Sequence, residues 1–236
     1  MKNRALSVHK EHELLLKLEE AGLGDAEAQA IVQSSGNQLA KKVVAYIRRG
    51  GYESQGFAVE WENFYQRVLG ITVDLSGVKV PAHKSTSDFS RIVMVPQGLT
   101  LNQSYQACKK RFPCWSYCGD DLDKAVPVND RITDKSYAIR IRDRQEADEE
   151  LKNLSANQLK EKHIQGIILL ERFLFELKYH DETGQHLDFQ NVTLCNGSRY
   201  SDGGVPRVVW DGGGLGVSWC SPSHVHYRLR SRAVVS

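Results

Sequence analysis

From Asn191 to Ser236 the chain contains no lysine, glutamate, glutamine or methionine, although all four are used before that point. Together they make up roughly a fifth of an average protein, so their joint absence over so long a stretch is a compositional signal. Other shortages bound the function. No apolar run is long enough to cross a bilayer. The N-terminal MKNRALSVHKEHELLLKLEE is charged throughout and has no apolar centre, which predicts no secretory signal. Lys and Arg number 31 against 29 Asp and Glu, a formal charge of +2 with both signs well mixed, so bulk attraction to nucleic acid or membrane has no basis. Cysteines are five (Cys108, Cys114, Cys118, Cys195, Cys220), an odd number in a chain expected to lack a signal; reduced thiols and a cytoplasmic location follow as expectations. Gly212–Gly214 has neither the lysine nor the following helix that a phosphate loop needs, and reads as a turn.

The same C-terminal stretch carries the clearest pattern. In RVVWD, Val208 and Trp210 share one parity and Arg207, Val209 and Asp211 the other. After the glycines, Leu215, Val217 and Trp219 fall on one face and Gly216, Ser218 and Cys220 on the opposite one. A period of two is that of a strand with one buried side, and a glycine turn permits the positive φ of a tight hairpin. A β-hairpin is expected, with Val208, Trp210, Leu215, Val217, Trp219 and, further on, Leu229 as the inner scaffold. Its outer face and the loop that follows hold Arg207, Val209, Asp211, Gly216, Ser218, Cys220, Ser221, Ser223, His224, Val225, His226 and Tyr227. Every residue type in that set is reachable by changing only the two adenines of an asparagine-type AAY codon. Lys, Glu, Gln, Met and Trp are not.

On these residues the segment resembles the C-terminal variable region of diversity-generating retroelement target proteins. In that family, error-prone reverse transcription of adenines rewrites surface codons on a C-type lectin-like fold. The closing RYSDG…VP…W…L…V.W…LR.RAVVS resembles a bacterial family of such proteins, and the likeness runs back through RDRQEADEELKNLSANQLKEK, beginning at Arg142. The resemblance implies an α+β protein whose last domain is C-type lectin-like, of the formylglycine-generating-enzyme type, ending in the hairpin. It implies binding through a variable region at about 204–228 and names no ligand. The Glu-Pro-Asn type calcium motif of sugar-binding C-type lectins is absent, which argues against carbohydrate.

Taken in order, residues 1–50 read as a three-helix module. Leu14, Leu15 and Leu18 recur at helical spacing over 11–21; Asp25 caps a second helix reaching Val32; Asn37 caps a third with Leu39, Val43, Val44 and Ile47 as its stripe. Gly50 to Gly56 reads as a hinge. Phe57, Trp61, Phe64, Tyr65, Val68 and Leu69 then recur at helical spacing and are expected to dock on a neighbouring domain, followed by a polar connector, so that 51–88 joins the module to a lectin-like domain over 89–236. Within that domain, Arg91 to Val95 is a β-branched run. Thr100 with Gln103 and Ser155 with Gln158 are capping boxes. Residues 115–118 form a brief strand, SYAIRIRDR alternates as a half-buried strand, and 167–179 is the most apolar helix. Strand, helices and terminal hairpin make an α+β order.

Other constellations weigh less. Cys114-x3-Cys118 and Cys220-x3-His224-x-His226 hold enough ligands for zinc, but the spacings are loose and a free cysteine usually behaves as a small hydrophobe; no metal and no cofactor are expected. His180, Asp181, Glu182, His186 and Asp188 invite an acid–base reading, with no nucleophile at an identifiable spacing; a solvated helix C-terminus is the simpler account. Arg228, Arg230 and Arg232 are expected to pair with carboxylates such as Asp202 and Asp211 rather than with phosphate. The resulting expectation is a non-enzymatic protein that binds a macromolecular, chiefly protein, target through the outer hairpin face and the 221–227 loop, with no membrane association. The alternative is a nucleic-acid-associated protein using the N-terminal helices and the Arg-rich end. A hydrolase centred on His180 to Asp188 is a remote third.

Overall fold

A computed structural model describes residues 7–35, 39–40, 43, 52–82, 88–117, 119 and 121–236, with residues 52–55 described by backbone alone. The contacts divide the chain into two compact units, 1–52 and 53–236. In the first, α1 (Val8–Glu20) starts at Ser7, whose hydroxyl accepts from Lys10 N, and stops before Gly22 at φ +96. The second helix, α2 (Asp25–Gln33), is capped by Gly24 rather than Asp25: the Glu27 carboxylate accepts the Gly24 N–H at 3.0 Å. No residue of α1 or α2 is buried. The third helix expected from Asn37, with its cap and closing glycines, lies largely outside the described residues.

The second unit opens with α3 (Tyr52–Phe64), which runs on as a π-helical turn (Tyr65–Leu69) ended by Gly70 at φ +72. Gly56, read as part of a hinge, therefore lies inside a helix. The aromatic stripe is core: Trp61, Phe64 and Tyr65 are buried, and Tyr65 Oη donates to Met94 O at 2.6 Å. Val78 of the polar connector, read as 76–90, joins it, as does Leu75 just before, both buried in the same cluster.

The rest is mixed α+β. An antiparallel ribbon pairs β1 (Arg91–Val95) with β4 (Tyr137–Ile141), Val93 opposite Ile139. Between them come α4 (Leu101–Arg111), capped by Thr100 and Gln103 as expected, β2 (Cys114–Ser116), the short α5 (Leu122–Ala125) and β3 (Val128–Asn129). The β4 strand is not half-buried: Ala138 through Ile141 are all covered. Arg140 Nε donates to Pro81 O at 2.6 Å and the Arg140 backbone bridges Val235, so the face expected in solvent is roofed by chain from both flanks. A single 3-10 turn (Glu149–Leu151) leads to α6 (Ala156–Glu161), whose Ser155–Gln158 capping box is formed. The apolar helix is α7 (Leu169–Thr183), buried from Leu169 to Lys178 and packed against α4, β1 and the hairpin.

After α7 the chain supplies β5 (Val192–Leu194), β6 (Ser198–Arg199), β7 (Val205–Asp211), β8 (Gly214–Cys220) and β9 (Leu229–Arg230). A five-stranded mixed sheet has the order β2-β8-β7-β5-β9, with β2–β8 and β5–β9 parallel and the two inner pairs antiparallel. Since β8 and β9 both run parallel to β5, the 221–228 link must travel back along the sheet to start β9. Among the described residues no helix is long and apolar enough to cross a membrane.

Candidate recognition surface

The hairpin turn is Gly212 and Gly213, at φ +58 and +79, which closes the Asp211–Gly214 pair; only glycine takes two successive left-handed positions without strain. Its register sets Arg207 opposite Ser218, Val209 opposite Gly216 and Val205 opposite Cys220 on one face, with Val208 opposite Val217 on the other. The inner scaffold is in place at Val208, Leu215 and Val217, all fully buried. Trp210, half-buried, lays its indole on the His186 imidazole with centroids 3.3 Å apart and planes 9° from parallel.

Three of the expected placements are corrected. Trp219, expected in the scaffold, is 50 % exposed; it pairs with Pro206 at the end of the hairpin and its ring lies over Gly204, beyond the reach of the core. Cys220, expected at the surface, is 7 % exposed. It packs with Val205, Leu194, Leu229, Leu151 and Leu159 in a second hydrophobic cluster, because the chain through α6 covers this end of the outer face; Asn157 N donates to Pro222 O at 3.0 Å. Gly216 is buried as well. A Cβ there would overlap the ring of Trp115, its register partner on β2.

The open remainder is a shallow strip. Asp211 is exposed and Arg207, Val209 and Ser218 partly so, with Arg207 Nε donating to Ser218 Oγ at 2.8 Å. Ser221, Ser223, His224, Val225, His226 and Tyr227 are all exposed. The loop is ordered by its own contacts: His224 N donates to Ser221 O at 2.9 Å, the Ser221 and Ser223 hydroxyls lie 3.0 Å apart, and the His226 and Tyr227 rings are 4.4 Å apart. Two residues not assigned from sequence belong beside the strip. Trp115 on β2 and Tyr117 just past its end share a parity, their rings 5.1 Å apart, and Tyr117 is 78 % exposed. Their i, i+2 spacing in a segment already read as a strand was the signal for them.

The His180–Asp188 string is architecture rather than a solvated terminus. His186 Nδ1 meets Glu176 Oε1 at 2.9 Å; Asp181 pairs with Arg67 and Arg111, and Glu182 with Arg91 and Lys178. Burial, then the neighbouring His186, holds the His180 pKa below its ordinary value. Asp188 is fully buried and accepts from Arg172, Arg232 and Thr193. Nor do the C-terminal arginines use Asp202 or Asp211. Arg232 takes Asp188, Arg230 takes Glu149, and Arg228 donates to Gln190 O at 2.8 Å, because β9 runs along β5 rather than the hairpin.

The thiols face the interior. Cys108 and Cys195 are wholly buried, which pushes both pKa values up; burial raises Cys220 and pushes Cys114 up to about 12. Cys118 lies outside the described residues. Cys220 sits under the outer face while His224 and His226 are in solvent, and among the described residues no three His, Cys, Asp or Glu side chains converge as a metal site. No protein-family model, curated protein or solved structure matches the chain.

Proposed function

We propose that the protein is a non-enzymatic binding protein in which a C-type lectin-like domain presents a diversified surface, made of Arg207, Val209, Asp211, Ser218 and the 221–227 loop and flanked by the unvaried Trp115 and Tyr117, to a macromolecular target, a protein in the first place. One observation carries the reading. Of the twelve residues whose types fit rewriting of adenines in AAY codons, all but Gly216 and Cys220 reach solvent, and they reach it on a hairpin and an ordered loop backed by a close-packed core. A surface rewritten in sequence must tolerate side-chain change without unfolding, which asks for a frame held by other residues. The strip is shallow and rimmed by Trp115, Tyr117 and Tyr227, which suits a broad partner better than a small molecule. The C-terminal arginines are engaged with carboxylates and carbonyls, so a nucleic-acid reading has little cation to draw on.

The genetic test is the flanking DNA. A nearby imperfect repeat with AAY codons at these positions, beside a reverse-transcriptase gene, is expected. The protein test compares two versions of the full chain that differ only at Arg207, Val209, Asp211, Ser218, Ser221 and 223–227. They should capture different proteins from a lysate and melt within about 2 °C of each other, as surface changes do. Identical capture by both, with loss on deleting residues 1–50, would assign recognition to the helical module instead.

A further inference from the structure

We propose that a cavity remote from the hairpin strip, between the end of α6 and the turn joining β5 to β6, is a binding site for a small oxyanion, a phosphate or carboxylate group. Its volume is about 540 Å³, and Lys160, His163, Asp130, Asn196 and Arg199 are among its lining residues. Two glycines let the chain pack closely beside it. A Cβ on Gly166 would overlap the Asn196 amide, and one on Gly197 would stand 2.8 Å from both Gly166 O and Ile168 Cγ2.

Two of the donors there are only partly used. Asn196 is 8 % exposed; its Oδ1 accepts from Ser231 Oγ, and its Nδ2 has no partner among the described residues. That nitrogen belongs to a residue lining the cavity, so a ligand there can reach it. Arg199 is similar. Its Nη1 donates to Asn196 O and Ser198 O, both at 2.7 Å, and its other nitrogens meet no carboxylate among the described residues. Arg131 and Arg142, partly covered like Arg199, each hold an ion pair. Burial accordingly lowers the Arg199 pKa, with only partial relief from Asp130.

The third observation is conformational. His163 stands at φ +54 just past the end of α6, donating its N–H to Lys160 O at 3.0 Å while Ile164 N donates to Leu159 O at 2.9 Å. This is the left-handed helix-stop position at which glycine is the usual residue, and a side chain there costs on the order of 1 kcal/mol. Cations at a helix C-terminus complement its dipole, and that alone would account for Lys160 and His163. It does not account for the remaining nitrogens of Arg199 or for Asn196 Nδ2. An oxyanion seated on Asn196 Nδ2 and the free edge of Arg199, with Lys160 and His163 at the rim, supplies an acceptor for each. Asp130, the carboxylate in the lining, can accept from a donor on the same ligand, such as the hydroxyl of a monoprotonated phosphate.

The test is calorimetric titration of the full chain with inorganic phosphate and, separately, with succinate at constant ionic strength. Saturable one-to-one binding of either ion is expected, and the ion that saturates identifies the phosphoryl or carboxylate source. Lys160→Gln and His163→Gly should each weaken it about tenfold. His163→Gly should also melt at the same or a higher temperature, because glycine relieves the left-handed backbone. Loss of binding without loss of stability separates a ligand role from a structural one. No saturation by either ion below about 10 mM, or equal binding by wild type and both variants, would overturn the proposal.

Discussion

At the scale of single residues, the buried carboxylate of Asp188 ties together more of the chain than any surface group. It accepts from Arg172 on α7, from Thr193 on β5 at 2.5 Å and from Arg232 near the C-terminus at 2.7 Å, and it also takes Ala147 N at 3.0 Å. Its string of neighbours was conspicuous in sequence, but the partners lie far away along the chain, so no local pattern distinguished the buried Asp188 from the ion-paired Asp181 at the surface. Burial by itself would raise the Asp188 pKa; Arg232 and Arg172 outweigh it and hold the group below its ordinary value. A carboxylate with a depressed folded pKa contributes stability that is complete above the unfolded value, near about pH 4, and is lost as pH falls through the folded one. Asp188→Asn keeps a residue tolerant of the local φ of +58 but leaves the buried Arg232 guanidinium without its carboxylate and Arg172 with Glu176 alone. It should cost about 3–5 kcal/mol at neutral pH and flatten the acid limb of the stability curve. Urea unfolding of both proteins between pH 7 and about pH 2 measures this; a parallel acid limb would show that Asp188 is not the titrating group.

Elements were legible where their signals are local. Both capping boxes are where Thr100–Gln103 and Ser155–Gln158 place them, and the hairpin parity holds at Val208, Leu215 and Val217. What failed was coverage. Alternation says which side chains share a face, never what another part of the chain lays over it. Trp115 comes from β2 and the Leu151–Leu159 cover from the segment around α6, so Gly216 and Cys220 keep outward parity and are nevertheless buried. Trp219 shows the converse, holding inward parity where the underlying layer has run out. The hairpin's outer face should therefore be uneven in its tolerance. Ser218→Tyr meets open surface and should change stability by under about 0.5 kcal/mol. Gly216→Tyr must displace the Trp115 ring and should cost about 1–3 kcal/mol. Denaturant midpoints of the two variants decide it, and equal tolerance would mean that Trp115 leaves its place freely.

For the molecule as a whole, the distribution of burial sets where independent stability lies. Trp61, Phe64 and Tyr65 sit in one cluster with Met94, Ile139 and Phe173, and Lys178 is placed over the Trp61 and Phe64 rings at 5.6 and 5.5 Å. The aromatic period was readable as a docking stripe. The polar stretch after it, 76–90, looked like a connector because Val78 stands among small, polar and charged residues, and burial of an isolated residue leaves no period to detect. Contacts accordingly set 53–236 apart as one unit. By contrast, Leu14, Leu15 and Leu18 of α1 are exposed and no residue of α1 or α2 is buried. A chain beginning at Glu53 should keep the cooperative unfolding of the full chain, its midpoint moved by no more than about 0.5 kcal/mol. One beginning at Gly70 removes three large buried aromatics and, at about 3–5 kcal/mol for each such loss, should not fold, since a domain's whole stability is about 5–15 kcal/mol. Circular dichroism melts of the two truncations measure the difference. If the Glu53 chain lost its transition, the first fifty residues would have to be supplying core that their exposed leucines do not show, and the division at Tyr52 would be wrong.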